Sequence, residues 1–306
     1  MNGSMIRRAV AVSLFLAVIV APRGFAQAAR VFLSGTGSDA GDCSNAATPC
    51  RSLQGAIDQA AAGAEVVIVS SGGFGGATIT KSITVNAPTG VIAFVGRTIT
   101  VAIASTDTVT LRGLSMNGAV FGDVNGIAFN AGGTLNIENT VISSFASFGV
   151  NDTAPGSNLW VHNCDVKKNT YGIFVSGTGT SAVIENSRAV ENNTGMEAGD
   201  SSTVAIRNSV AEGNIFAGFY VKAFAGTSTE LVVDSCMATN NGYGLNSFQS
   251  GTGSVATLRA GQNIVMNNTT ANLNTSGGSF LISQGGNRIG GATGGTTGFT
   301  STVAQQ

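Results

Sequence analysis

A glycine followed by an apolar residue recurs along this chain at Gly126-Ile127, Gly149-Val150, Gly172-Ile173, Gly195-Met196, Gly218-Phe219 and Gly244-Leu245, in steps of 23, 23, 23, 23 and 26 residues. A second landmark keeps similar time. Leu135-x-Ile137-x-Asn139, Leu159-x-Val161-x-Asn163, Ala182-x-Ile184-x-Asn186, Val204-x-Ile206-x-Asn208 and Leu231-x-Val233-x-Ser235 advance by 24, 23, 22 and 27. Two independent markers with one period define a repeated structural unit. Around each marker apolar and polar residues alternate, as in Thr134-Leu135-Asn136-Ile137-Glu138, which is the period of a strand. Asn, Gly, Ser and Thr fill the intervals, where the chain must bend sharply. About 23 residues hold two or three short strands, too few for a propeller blade. The regular leucines of a leucine-rich repeat are missing. The spacing therefore predicts an all-β, single-stranded, right-handed parallel β-helix with coils of about 23 residues, each strand pairing with its equivalent about 4.8 Å away.

Composition fits that expectation. Charged residues make up 10% of the chain, against roughly 25% in ordinary soluble domains. Long like-charged side chains stacked at strand spacing repel one another, so a solenoid uses small polar residues instead. No basic patch or phosphate-binding loop occurs, so nucleic acid is not an expected partner.

Ile6-Arg7-Arg8 precedes the apolar run 9–21, and Ala26-Gln27-Ala28 offers a small-x-small cleavage site, the pattern of a secretory leader. The run is shorter than the ~20 residues that span a bilayer, so no membrane span is expected after cleavage. Export to the periplasm or the extracellular space favours a disulfide between Cys43 and Cys50. Cys164 and Cys236 sit three coils apart in one column and are expected to be unpaired core residues. After Pro49, Ser52 can cap a short helix through Leu53, Ala56, Ile57 and Ala60, ended by Gly63, which would cover the open apolar end of the stack. The expected organisation is a leader over 1–28, an N-terminal segment with the capping helix over 29–63, the β-helix over 64–290 and a Gly/Thr-rich tail over 291–306.

The stretches Cys50-Arg51-Ser52-Leu53-Gln54-Gly55-Ala56-Ile57-Asp58-Gln59-Ala60, Gly63-Ala64-Glu65-Val66-Val67-Ile68 and Ile79-Thr80-Lys81-Ser82-Ile83-Thr84-Val85 resemble the opening of β-helix proteins of the pectin-lyase-like superfamily. Gly286-Asn287-Arg288-Ile289 resembles their closing turn. The resemblance implies the fold. It leaves activity open, because that superfamily holds lyases, hydrolases, esterases, epimerases, adhesins and exported proteins without assigned roles.

Register sorts the outward side chains. One column reads Arg112, Glu138, His162, Glu185, Arg207, Asp234 and then Arg259. It is either a ladder of compensating charges or a site in which His162, the sole histidine, serves as a general base between Glu138 and Glu185. A second column follows the glycine landmark through Asn151, Phe174, Glu197, Tyr220 and Asn246, with Lys222 on the strand of Tyr220. Aromatic rings beside amides and carboxylates suit a saccharide, whose ring faces stack while its hydroxyls are hydrogen-bonded. A third group is Asp165, Lys167, Lys168, Arg188 and Glu191, with a cross-strand pair expected between Asp165 and Arg188.

Depolymerising chemistry needs more. A lyase site would join a base to carboxylates that hold Ca2+, and no outward column stacks two or three aspartates; no cofactor is expected, with Ca2+ the weak exception. A hydrolase needs two carboxylates about 5 to 9.5 Å apart, and Glu138 and Glu185 fall near 10 Å by strand spacing. Three readings follow: a non-catalytic exported β-helix binding a polysaccharide or cell-surface component, a divergent lyase or glycoside hydrolase, and a structural surface scaffold.

Overall fold

A computed structural model describes residues 27–291, 294–295 and 297–303. Except for its last two residues, the expected leader lies outside them. The chain winds as a right-handed parallel solenoid of about nine turns with coils of about 24 residues. Each complete coil lays one strand on each of three sheets, which hold twelve, nine and ten strands among the described residues because the end coils are incomplete.

The anchors explain the register. Leu135, Leu159, Ala182, Val204, Leu231 and Leu258 stack in pairwise alignment on the twelve-stranded sheet, as do Ile137, Val161, Ile184, Ile206, Val233 and Ala260. All twelve are buried. Each such aliphatic side chain contributes about 1.5–3 kcal/mol of burial, less for alanine, so a one-residue slip that turned a strand's set outward would be prohibitive.

Two sharp corners fix coil length. Between the twelve- and ten-stranded sheets, Asn139, Asn163, Asn186, Asn208, Ser235 and Gln262 take left-handed backbone with φ from 50° to 57°, a region asparagine tolerates best among residues with a side chain. The next residue bonds across coils: the Cys164 and Ser187 amides donate to Ser187 Oγ and Ser209 Oγ at 3.1 and 3.2 Å. Between the ten- and nine-stranded sheets runs a buried ladder of Asn169, Asn192, Asn214, Asn241 and Asn268. Asn192 Oδ1 accepts from the Asn169 backbone amide at 3.0 Å and from Asn169 Nδ2 at 3.1 Å, and its own Nδ2 donates to the Val166 carbonyl at 3.0 Å. The same pattern repeats at Asn214 and Asn241.

The glycine landmark is steric. A Cβ on Gly172 would stand 2.4 Å from the Gly195 carbonyl oxygen, and one on Gly195 would stand 2.5 Å from that of Gly218 and 3.0 Å from Asn214 Nδ2. The coils approach too closely there for any side chain.

The ends differ in detail from the sequence expectation. The helix is Leu53–Gln59, with Ser52 Oγ accepting from the Gly55 amide at 3.0 Å. It stops before Gly63, because Ala60 already enters the strand Ala60–Ile68. Leu53, Ala56 and Ile57 are buried against the first coil. A strand at Ala28–Leu33 precedes the helix and pairs with Ala60–Ile68, so pairing begins N-terminal to residue 64. The run from Ala77 to Val85 divides into Ala77–Ile79 and Ile83–Asn86 on different sheets. Cys43 and Cys50 form a disulfide, while Cys164 and Cys236 are free and buried. Burial pushes each of those thiols up to about 12. At the C-terminal end Ser301–Thr302 returns to pair with Phe280–Ser283.

Candidate ligand-binding face

The nine-stranded sheet carries the column expected from the glycine landmark. Asn151, Phe174, Glu197, Tyr220 and Asn246 are direct neighbours on successive coils, and Asn274 continues the line. The column is not an open strip, however. Glu197 is 2% exposed and Asn246 3%, while Phe174 and Tyr220 are half-buried. Lateral neighbours close over the middle of the column, a contact that strand alternation does not reveal.

Lys222 provides that cover. Its Nζ lies 2.6 Å from Glu197 Oε1, 5.1 Å from the Phe174 ring centre and 6.0 Å from those of Tyr171 and Phe224. The ammonium thus sits in an aromatic surround that favours a cation, and it neutralises the carboxylate beneath. Beyond this ion pair, no described residue donates a hydrogen bond to either Glu197 oxygen. Burial raises the Glu197 pKa, and Lys222 opposes the shift. Burial likewise raises that of the Tyr220 phenol, with Glu197 adding to it.

Rings flank the pair on both sides. Phe148 stacks on Tyr171 at 4.9 Å with 14° between planes, and both lie against Phe174 at 5.3 and 5.7 Å. Phe216 meets Tyr220 and Tyr243 edge-on at 5.3 and 5.6 Å. Sequence reasoning passed over Phe148, Tyr171 and Tyr243. All three stand immediately before a landmark glycine, in the column Phe148, Tyr171, Thr194, Ala217, Tyr243, so the signal was present one position away.

The alternating-charge column on the twelve-stranded sheet is also aligned as expected from Arg112 to Asp234. Arg259 departs from it: it pairs in register with Val232 and forms an ion pair with Glu230. Arg112 Nε holds Glu138 at 2.7 Å and Arg207 Nε holds Glu185 at 2.5 Å. His162 Nδ1 stands 3.9 Å from Glu185 Oε2, beyond hydrogen-bond reach. Both carboxylates are engaged by arginines, which is the geometry of a charge ladder.

On the ten-stranded sheet Asp165 and Arg188 are register neighbours, yet they do not form the expected ion pair. Asp165 instead takes Lys167 on its own strand at 2.9 Å, and Arg188 reaches Glu212 on the next coil at 3.9 Å. Side chains two apart on one strand face the same way, and the short lysine link prevails. With Ser143 and Asn117 this group lines a groove of about 410 Å3. Among the described residues no three His, Cys, Asp or Glu side chains converge to hold a metal ion. None of their helices is long and apolar enough to cross a membrane.

Known proteins place the fold. Residues 66–225 and 99–269 match the family described as the right-handed β-helix region, and the chain belongs to that family. Two solved structures are similar: pectate lyase Pel9A, at 15% identity over 92% of this chain and 80% of that one with a TM-score of 0.53, and XylC in complex with xylose, at 10% identity over 86% and 69% with a TM-score of 0.59. At such identities the likeness is one of fold. No curated protein matches the sequence.

Proposed function

We propose that this chain is an exported β-helix that binds a polysaccharide or cell-surface glycan along the ring-bearing face of its nine-stranded sheet, without cleaving it. The observation that carries the reading is a ring cluster on one face: Tyr171, Phe174 and Phe224 about the Lys222 ammonium that covers Glu197, Phe148 stacked on Tyr171, and Tyr220 joined to Tyr243 through Phe216. Half-buried rings fixed by their neighbours offer stacking surface at little entropic cost, and the half-buried amide of Asn151 lies in line with them. A binding role also suits the carboxylates. Glu138 and Glu185 are tied to arginines, and Glu197 is closed over by Lys222, so neither pair is arranged as an acid and a base facing one bond. The disulfide Cys43–Cys50 supports export.

Glycan arrays and affinity electrophoresis test the reading. Tyr220→Ala and Phe174→Ala are each expected to weaken retention on the bound glycan on the order of tenfold. Unaltered retention in both, or release of reducing or unsaturated sugars by the wild-type chain, would remove it.

A further inference from the structure

The only tryptophan of the sequence, Trp160, lies on a different face. It occupies an outward position of Asn158–His162 on the twelve-stranded sheet, and it is 37% exposed. Alternation and register surround it on all sides. Asn136 precedes it and Val183 follows it on the adjoining coils, while Asn158 and His162 lie two residues away on its own strand. Thr134 and Ser181 flank Asn158 in the same register. The result is an outward indole rimmed by two amides and two hydroxyls and lining a groove of about 360 Å3. That volume falls within the ~300–1,000 Å3 of small-molecule sites. The His162 imidazole, 5.6 Å from the indole and tilted by 30°, extends the ring surface along the strand.

Charge narrows what could lie there. The two carboxylates at the row ends, Glu138 and Glu185, are neutralised by Arg112 and Arg207. The rim around the indole is otherwise uncharged. A neutral ring with one apolar face and equatorial hydroxyls meets this surface on both counts: its C–H face stacks on the indole and its hydroxyls reach the amides. A second copy of the chain fits less well. The apolar side chains here form a single row, Trp160, Val183, Ala205 and Val232, against the roughly 20–30 residues a side of a stable interface.

The geometry points to a second saccharide subsite centred on Trp160, selective for uncharged pyranosides and separate from the face of the nine-stranded sheet. Because the chain has one tryptophan, its emission reports this subsite alone. The full chain is titrated with cellohexaose, xylohexaose, mannohexaose and hexagalacturonate, with acrylamide quenching measured at each end point. At least one neutral hexasaccharide is expected to shift the emission saturably and to protect the indole from acrylamide. The acidic one is expected to do neither. Trp160→Ala should weaken that neutral sugar on the order of tenfold by calorimetry, with Trp160→Phe intermediate and Asn136→Ala affected less. Circular dichroism checks that these outward substitutions leave the fold intact. Emission that no neutral sugar moves overturns the proposal, as does a response to the acidic sugar alone or a shift that follows protein concentration without sugar. Tyr220→Ala separates the two faces. An intact tryptophan response in that variant supports a distinct subsite; loss of glycan retention there, with an emission that never moved in the wild type, sinks the Trp160 subsite and leaves the first face standing.

Discussion

Single side chains show where alternation predicts orientation and where it fails to predict environment. Asp152 points inward at the end of the strand Phe148–Asp152, fully buried, with hydrogen bonds from the Ala154 amide and the Ser157 hydroxyl. Burial pushes its pKa up to about 7 against those bonds. The folded chain therefore keeps a proton that the unfolded chain releases near pH 4, and stability falls as pH rises from about 4 to about 7, then levels off. Asp152→Asn should abolish that slope and gain on the order of 2–4 kcal/mol at pH 8 while changing little at pH 4, as measured by denaturant titration across that range. Glu197 teaches the complementary lesson. Sequence placed it outward correctly, yet its cover by Lys222, whose ammonium lies near three rings, depends on side-chain reach across coils, which no local pattern encodes. Trp160 was readable in principle, standing outward between Leu159 and Val161, but a lone ring has no period to draw attention to it.

At the scale of an element, the repeated corner is what the sequence declared most clearly. The residue two places after each anchor pair is asparagine four times in five, and the structure turns that position into left-handed backbone. The second ladder was equally periodic, at Asn169, Asn192, Asn214, Asn241 and Asn268, but its physical sense emerges only when each amide is seen bonding two coils at once. Asn214→Ala should cost about 2–4 kcal/mol, since the buried Asn192 amide loses its acceptor and the Ala189 carbonyl loses a donor. Asn274→Ala, on the outer face with one bond to Asn246, should cost under about 1 kcal/mol. Urea midpoints compare the two directly. The short helix was legible from Ser52 and the spacing of Leu53, Ala56 and Ile57. Its end was not, because the strand that follows competes for the same residues and tertiary pairing wins.

Across the whole molecule, each coil touches only its neighbours, so the ends carry a burden the middle does not. At the C-terminal end the described part of the tail answers it. Ser301–Thr302 pairs with Phe280–Ser283, Thr300 Oγ1 accepts from the Leu281 amide at 3.0 Å, and Phe299 packs against the core. A chain ending at Gly290 should expose that edge and self-associate, with light scattering per unit mass rising as concentration rises. A monodisperse truncated chain would show that the edge needs no cover.

The period is not uniform, and its departure has a direction. Steps of 23 give way to 26 or 27 after Gly218, and the added residues lengthen Ala217–Phe224 and Tyr243–Ser250 to eight residues each, paired as far as Phe224 with Ser250. The nine-stranded sheet thereby gains a ledge beside Lys222, edged by Phe224 and Phe248 at 5.6 Å. Its turns, 225–227 and 251–254, lie clear of both asparagine ladders. Exchange of those two turns alters the surface at that margin while the interior winding stays as it is, so the outer face can diversify without disturbing the stack.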